Sequence, residues 1–138
     1  MKINVYNKKQ VEELQPEPES VLISISCPGK PVNLKEGWKR ILRLEFDDIV
    51  SIEEALIDKL QPFTNEQRDQ VIDFINENKN RNFVIHCDAG ISRSVAIGIF
   101  IQNKFNGELI LHAPTATTTF ANSLVLRKLR RKEWDVKD

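Results

Sequence analysis

The sequence has little cysteine: Cys27 and Cys87 are its two, too few for a disulfide framework in 138 residues. It has no surplus of charge, because 20 Lys and Arg balance 20 Asp and Glu. That balance disfavours a domain built to bind bulk nucleic acid, which carries a basic footprint. It also disfavours a disordered chain, in which low hydropathy and high net charge coincide. Long hydrophobic runs are missing too. The longest, Val95 to Ile101, falls far short of the ~20 residues that span a bilayer, so no membrane partner is expected. Met1 to Tyr6 lack the apolar core of a secretory leader. A reducing, cytoplasmic setting is therefore the expectation, and there a cysteine is reactive or buried rather than cross-linked.

What is present suits one domain over residues 1–138, since apolar residues make up 41% of the chain and can fill one core. No internal repeat or Gly/Ser linker divides it. Lys2 to Tyr6, Val21 to Ser26 and Arg40 to Phe46 alternate apolar and polar residues and read as strands. Asn7 can cap a helix running through Leu14, and Ser51 with Glu54 offers a capping box for a short helix ending before Pro62. Thr64 starts a longer helix whose apolar face is Val71, Ile72, Phe74 and Ile75. Phe83 to His86 reads as a short buried strand. Ser94 to Phe105 is apolar on nearly every side and belongs in the middle of a core. Thr115 to Phe120 carries no clear signal, and Ala121 to Lys132 closes the chain as a helix with Ala121, Leu124, Val125 and Leu129 on one face. Strands alternating with helices predict an α/β domain, its mainly parallel sheet of four to five strands flanked by helices. In such sheets sites form at the carboxyl ends of strands, where loops lead into helices.

The loop after Phe83–His86 is in that place, and it reads His86-Cys87-Asp88-Ala89-Gly90-Ile91-Ser92-Arg93-Ser94. A short loop entering a helix N-terminus turns several backbone N–H groups toward one point and makes an anion nest, here from Asp88, Ala89, Gly90, Ile91 and Ser92. Gly90 permits the positive φ that such a curl needs. Arg93, in the first helical turn, offers a planar fork matched to two phosphate oxygens. The same field favours a thiolate at the bottom of the nest, as it does for cysteines at helix N-termini or beside arginine. Cys87 is then a nucleophile aimed at the phosphorus of a bound monoester.

His86 to Ser94 matches HCxxGxxRS and so resembles the signature of the cysteine-dependent protein tyrosine phosphatases; the short chain resembles their dual-specificity branch. The resemblance is strong over residues 81–103 and rests on element order over residues 40–132. It implies a phosphocysteine intermediate on Cys87, with Arg93 holding phosphate through both steps and Ser94 helping the thiolate leave. His86 would support the loop from beneath. It also implies a general acid from an upstream loop. Laying Leu42 to Asp48 against the family's strand-then-aspartate pattern puts Asp48 in that position, with Asp47 one residue off as a competitor. Either could instead simply solvate a turn. Asn122 stands where related phosphatases place an asparagine that brace the phosphate loop, although a plain helix-start residue reads equally well.

Cys27 follows the second strand and could pair with Cys87 under oxidants, but spacing alone does not place them within bonding distance. Arg127, Lys128, Arg130, Arg131 and Lys132 suit the C-terminal end of a helix, where cations offset the dipole. The expected substrate is a phosphorylated protein or peptide, taken by a monomer. Asp88 beside the nest, with no lysine in the loop, would repel polyphosphorylated headgroups. Phosphotyrosine should react faster than phosphoserine or phosphothreonine, because a phenol of pKa about 10 leaves more readily than an alkanol. No metal or cofactor is expected, since arginine and amides supply the charge stabilisation. The open alternatives are an RNA 5′-phosphatase or other non-protein phosphomonoesterase, and a non-catalytic phosphate-binding module.

Overall fold

Five short strands carry the architecture. In the computed structural model, which describes residues 1–135, they are β1 (Lys2–Tyr6), β2 (Val21–Ser26), β3 (Arg40–Glu45), β4 (Phe83–His86) and β5 (Glu108–Leu111). They form one sheet in the order β3-β2-β4-β1-β5, and every pair is parallel. The expected mainly parallel sheet is thus wholly parallel and has five strands. The last three residues of the expected 1–138 domain lie outside the described residues.

A parallel sheet is covered on both faces, and the strand residues sort accordingly. All six residues of β2 are buried, Ser24 and Ser26 included. The alternation in VLISIS therefore separates two buried faces rather than an inner and a solvent face. Ile3, Val5, Ile23, Ile25, Leu44, Phe83 and Ile85 share one cluster with residues of α3 (Asn65–Glu77), α4 (Arg93–Phe105) and α5 (Ser123–Asp135). Leu22 and Val84 face the other way, onto Val11 of α1 (Lys8–Glu13) and onto Val32, Leu34 and Trp38 of the loop before β3. Fully burying each large aliphatic chain contributes about 1.5–3 kcal/mol, so this double cover is the main source of stability.

Helix α4 sits where its all-round apolarity predicts, with Arg93 to Gly98, Phe100 and Ile101 buried. It rests close on the sheet through Gly98, where a Cβ would come within 2.8 Å of Leu109 Cδ1 and 3.2 Å of Val5 Cγ2. Asn7 and Thr64 form full capping boxes with Gln10 and Gln67. At α2 (Ile52–Asp58) only half of the expected box exists: Ser51 accepts from the Glu54 N–H at 3.4 Å. Helix α5 begins at Ser123 rather than Ala121 because Asn122 is its cap, Oδ1 accepting from the Val125 N–H at 3.0 Å. Helix α5 also runs past Lys132 to Asp135, so the basic cluster, which begins at Arg127, straddles its middle rather than marking its end. The unassigned stretch before it ends in a single 3₁₀ turn, Thr118–Phe120.

Because all strands run the same way, all carboxyl ends lie along one edge. Asn7, Cys27, Phe46, Cys87 and His112 each directly follow the last residue of a strand. Of these, Cys27, Phe46 and Cys87 lie at the candidate site.

Candidate functional site

The six residues between β4 and α4, Cys87 to Ser92, curl because Gly90 adopts φ +71°. Glycine is required here twice over. Besides the conformation, any Cβ would lie 2.8 Å from Tyr6 C and O and from Asn7 N. Two of the loop's carbonyls are tied to main-chain N–H groups: Asp88 O accepts from the Lys8 N–H at 3.1 Å, and Ser92 O from the N–H groups of Ala96 (3.1 Å) and Asn122 (3.0 Å). The loop's amides are not so tied. Among the described residues, no backbone N–H from Asp88 to Ser92 donates to a protein acceptor. Free amides at a helix N-terminus constitute a nest with positive partial charge.

Cys87 is 1% exposed, and its Sγ lies 2.9 Å from Ser94 Oγ. His86 is fully buried on the opposite face of the sheet, beside its register partner Ser24. Its Nε2 is 2.6 Å from Ser24 Oγ and its Nδ1 3.4 Å from Cys87 O. A carbonyl can only accept, so Nδ1 carries the proton and Ser24 donates to Nε2. Burial, opposed by the Cys87 carbonyl, holds the His86 pKa down to about 4, so the ring is neutral at physiological pH.

Arg93 is 4% exposed and reaches across three strand ends. Its Nη1 donates to Phe46 O at 2.7 Å, after β3, and to Cys27 Sγ at 3.8 Å, after β2. Its Nη2 donates to Asp88 Oδ2 at 3.3 Å, after β4. Burial alone would lower its basicity. The opposing pull of Cys87, Cys27 and Asp48 outweighs burial and raises the guanidinium above its ordinary value. Its Nε is buried without a partner among the described residues.

The two candidate acids point to different tasks. Asp48 Oδ1 accepts from Ser92 Oγ at 2.7 Å and from Asn122 Nδ2 at 2.8 Å, and this brings the carboxylate to the rim of the nest. Asp47 instead pairs with the chain before Pro62: its Oδ2 accepts from the Gln61 N–H at 2.8 Å, and its own N–H donates to Gln61 O at 2.7 Å. Asn122, 1% exposed, also donates to Ile49 O at 3.1 Å. One buried amide thus joins the Asp48 loop, the nest and the cap of α5.

The structure therefore gathers His86, Cys87, the loop from Asp88 to Ser92, Arg93, Ser94, Asp48 and Asn122 at one place, and leaves Asp47 beside it, turned to Gln61. Sequence reasoning gave Cys27 only an oxidative role and missed its contact with Arg93, Asp88 being its other partner at 3.3 Å. The usable signal was topological: Cys27 directly follows a strand that neighbours β4 in a parallel sheet.

No protein-family model and no curated protein matches the chain. Among solved structures, it is similar to the human tyrosine phosphatase-like serine/threonine/tyrosine-interacting protein, at 18% identity and a TM-score of 0.44. The match covers 86% of this chain and 79% of that one. A likeness this slight says nothing about activity.

Proposed function

We propose that the protein hydrolyses phosphate monoesters, phosphotyrosine in proteins or peptides foremost, through a phosphocysteine on Cys87. The observation that carries this reading is a nest of amides, completed by the Arg93 Nε, that find no acceptor among the described residues and directly follow a nearly inaccessible cysteine. The buried Nε is costly to leave unpaired, and a tetrahedral oxyanion would satisfy it together with the loop amides.

In the first step the Cys87 thiolate attacks phosphorus, forming S–P as the P–O bond to the leaving group breaks. Asp48, protonated, gives its proton to the departing oxygen. In the second step water attacks phosphorus and gives a proton to the Asp48 carboxylate. The S–P bond breaks, and the Ser94 hydroxyl, 2.9 Å from Sγ, stabilises the returning thiolate. Arg93 and the amides hold the equatorial oxygens throughout, where preorganised donors act without reorganisation. Asp48 is favoured over Asp47 because its carboxylate is bound to Ser92 of the loop itself. Asn122 positions it. His86, neutral and buried, fixes the Cys87 carbonyl and takes no proton.

The test is hydrolysis of an aryl phosphate with chelator present. The reading expects turnover that vanadate blocks and Cys87→Ser abolishes. Tungstate binding without turnover would make the protein a phosphate-binding module; neither binding nor turnover would end the reading.

A further inference from the structure

Arg93 has two usable edges, and the protein occupies one of them. Nη1 contacts Cys27 Sγ at 3.8 Å, Nη2 contacts Asp88 Oδ2 at 3.3 Å, and Sγ and Oδ2 are themselves 3.3 Å apart. These three contacts form a ring closed through the guanidinium carbon, and they place Cys27 and Asp88 together on the Nη1–Nη2 end. Phe46 O takes Nη1 as well, at 2.7 Å. The remaining edge, Nε with the other Nη2 proton, is the one whose Nε is buried without a partner. A bidentate oxyanion needs one such edge of the fork.

We propose that Cys27 and Asp88 are positioning residues for Arg93, a side-chain pair that holds one edge of its guanidinium so that the Nε–Nη2 edge faces a phosphate dianion. The proposal rests on the phosphate-binding reading above and adds to it a residue outside the loop. A thiol suits the task because it donates to Asp88 while accepting from Arg93, two bonds of opposite sense through one atom. Burial and the Asp88 hydrogen bond, against the pull of Arg93, raise the Cys27 pKa and keep that proton on sulfur. Asp88 has the matching geometry: its side chain is 47% exposed, but Oδ2 turns inward to both partners. Its charge repels an incoming anion while its oxygen orders the arginine, so charge and positioning must be tested separately.

The experiment is calorimetric binding of tungstate, with aryl phosphate kinetics alongside, for Cys27→Ser, Cys27→Ala, Asp88→Asn and Asp88→Ala. Asn and Ala at position 88 remove the same charge, and only Asn keeps an acceptor. The proposal expects Asp88→Ala to bind tungstate about tenfold more weakly than Asp88→Asn, the usual cost of one charge-assisted hydrogen bond. It expects Cys27→Ser to stay within about threefold of wild type while Cys27→Ala weakens by about tenfold. In both Ala variants kcat should fall along with affinity, since Arg93 holds phosphate in both steps. Equal binding by the Asn and Ala variants at 88, or by the Ser and Ala variants at 27, would overturn the proposal. Wild-type protein that binds no tungstate would instead overturn the phosphate-binding reading itself.

Discussion

The loop from Cys87 to Ser92 and the segment from Phe46 to Asp58 meet at the same edge of the sheet but are held differently. The first is fixed by backbone: two of its carbonyls accept three main-chain N–H groups, and Gly90 leaves no room for a Cβ. The second has main-chain bonds to other parts of the chain at Phe46 and Asp47, but the candidate acid hangs on side chains. Asp48 is tied by Ser92 and Asn122, Asp47 by Gln61, and α2 buries only Ala55, with Leu56 77% and Ile57 79% exposed. The nest should therefore survive most side-chain losses, whereas the placement of the acid can be dismantled one bond at a time.

The sharpest division between the two comes from replacing the reacting groups. Cys87→Ser should abolish turnover, a loss on the order of 10⁴-fold or more, yet retain tungstate affinity, because the nest is backbone-built. Titration calorimetry beside an activity assay checks both; lost affinity would mean the nest depends on the sulfur. Asp48→Asn should slow esters of poor leaving groups by about 10²- to 10⁴-fold and remove the basic limb of the pH–rate profile. Asp47→Asn, whose partner is Gln61, should keep that limb. The reverse result would exchange their roles.

Two stability measurements follow. Gly90→Ala places a Cβ against Tyr6 and Asn7 at φ +71°, and should cost about 1–3 kcal/mol in chemical denaturation. Loss of tungstate binding should accompany it. His86 gives a pH dependence of defined sign. Its folded pKa, near 4, lies below the ordinary 6.5, so between those values the unfolded chain binds the proton and the folded one does not. Stability is therefore lost as pH falls through that window, by about 2 kcal/mol between pH 7 and pH 5. Urea unfolding of wild type and His86→Asn at both pH values should show this difference shrinking in the variant. The smallest effect belongs to α2: Leu56→Lys should change stability by less than about 0.5 kcal/mol. A larger loss would show that this helix is covered after all.

Much of this was legible in the sequence, for local reasons. The strand Phe83–His86, the buried helix after it and the glycine between them are each dictated within a few residues. So are the caps at Asn7 and Thr64. The edge strand β5 was not, because Glu108 to Leu111 is short and only partly buried. Nor was the difference between Asp47 and Asp48, adjacent residues whose directions depend on Gln61 and Asn122, the latter 74 positions from Asp48. The role of Asn122 as cap, brace and link became visible only where three elements converge. Cys27 illustrates the same limit: its partners Asp88 and Arg93 are 61 and 66 positions away.

The most direct trial is to acid-quench the protein during turnover of an aryl phosphate and examine its peptides by mass spectrometry. A phosphate-sized increment on the fragment holding Cys87, absent in Cys87→Ser, is the predicted result. Steady hydrolysis with that fragment never modified, or with the group found on another residue, would contradict it.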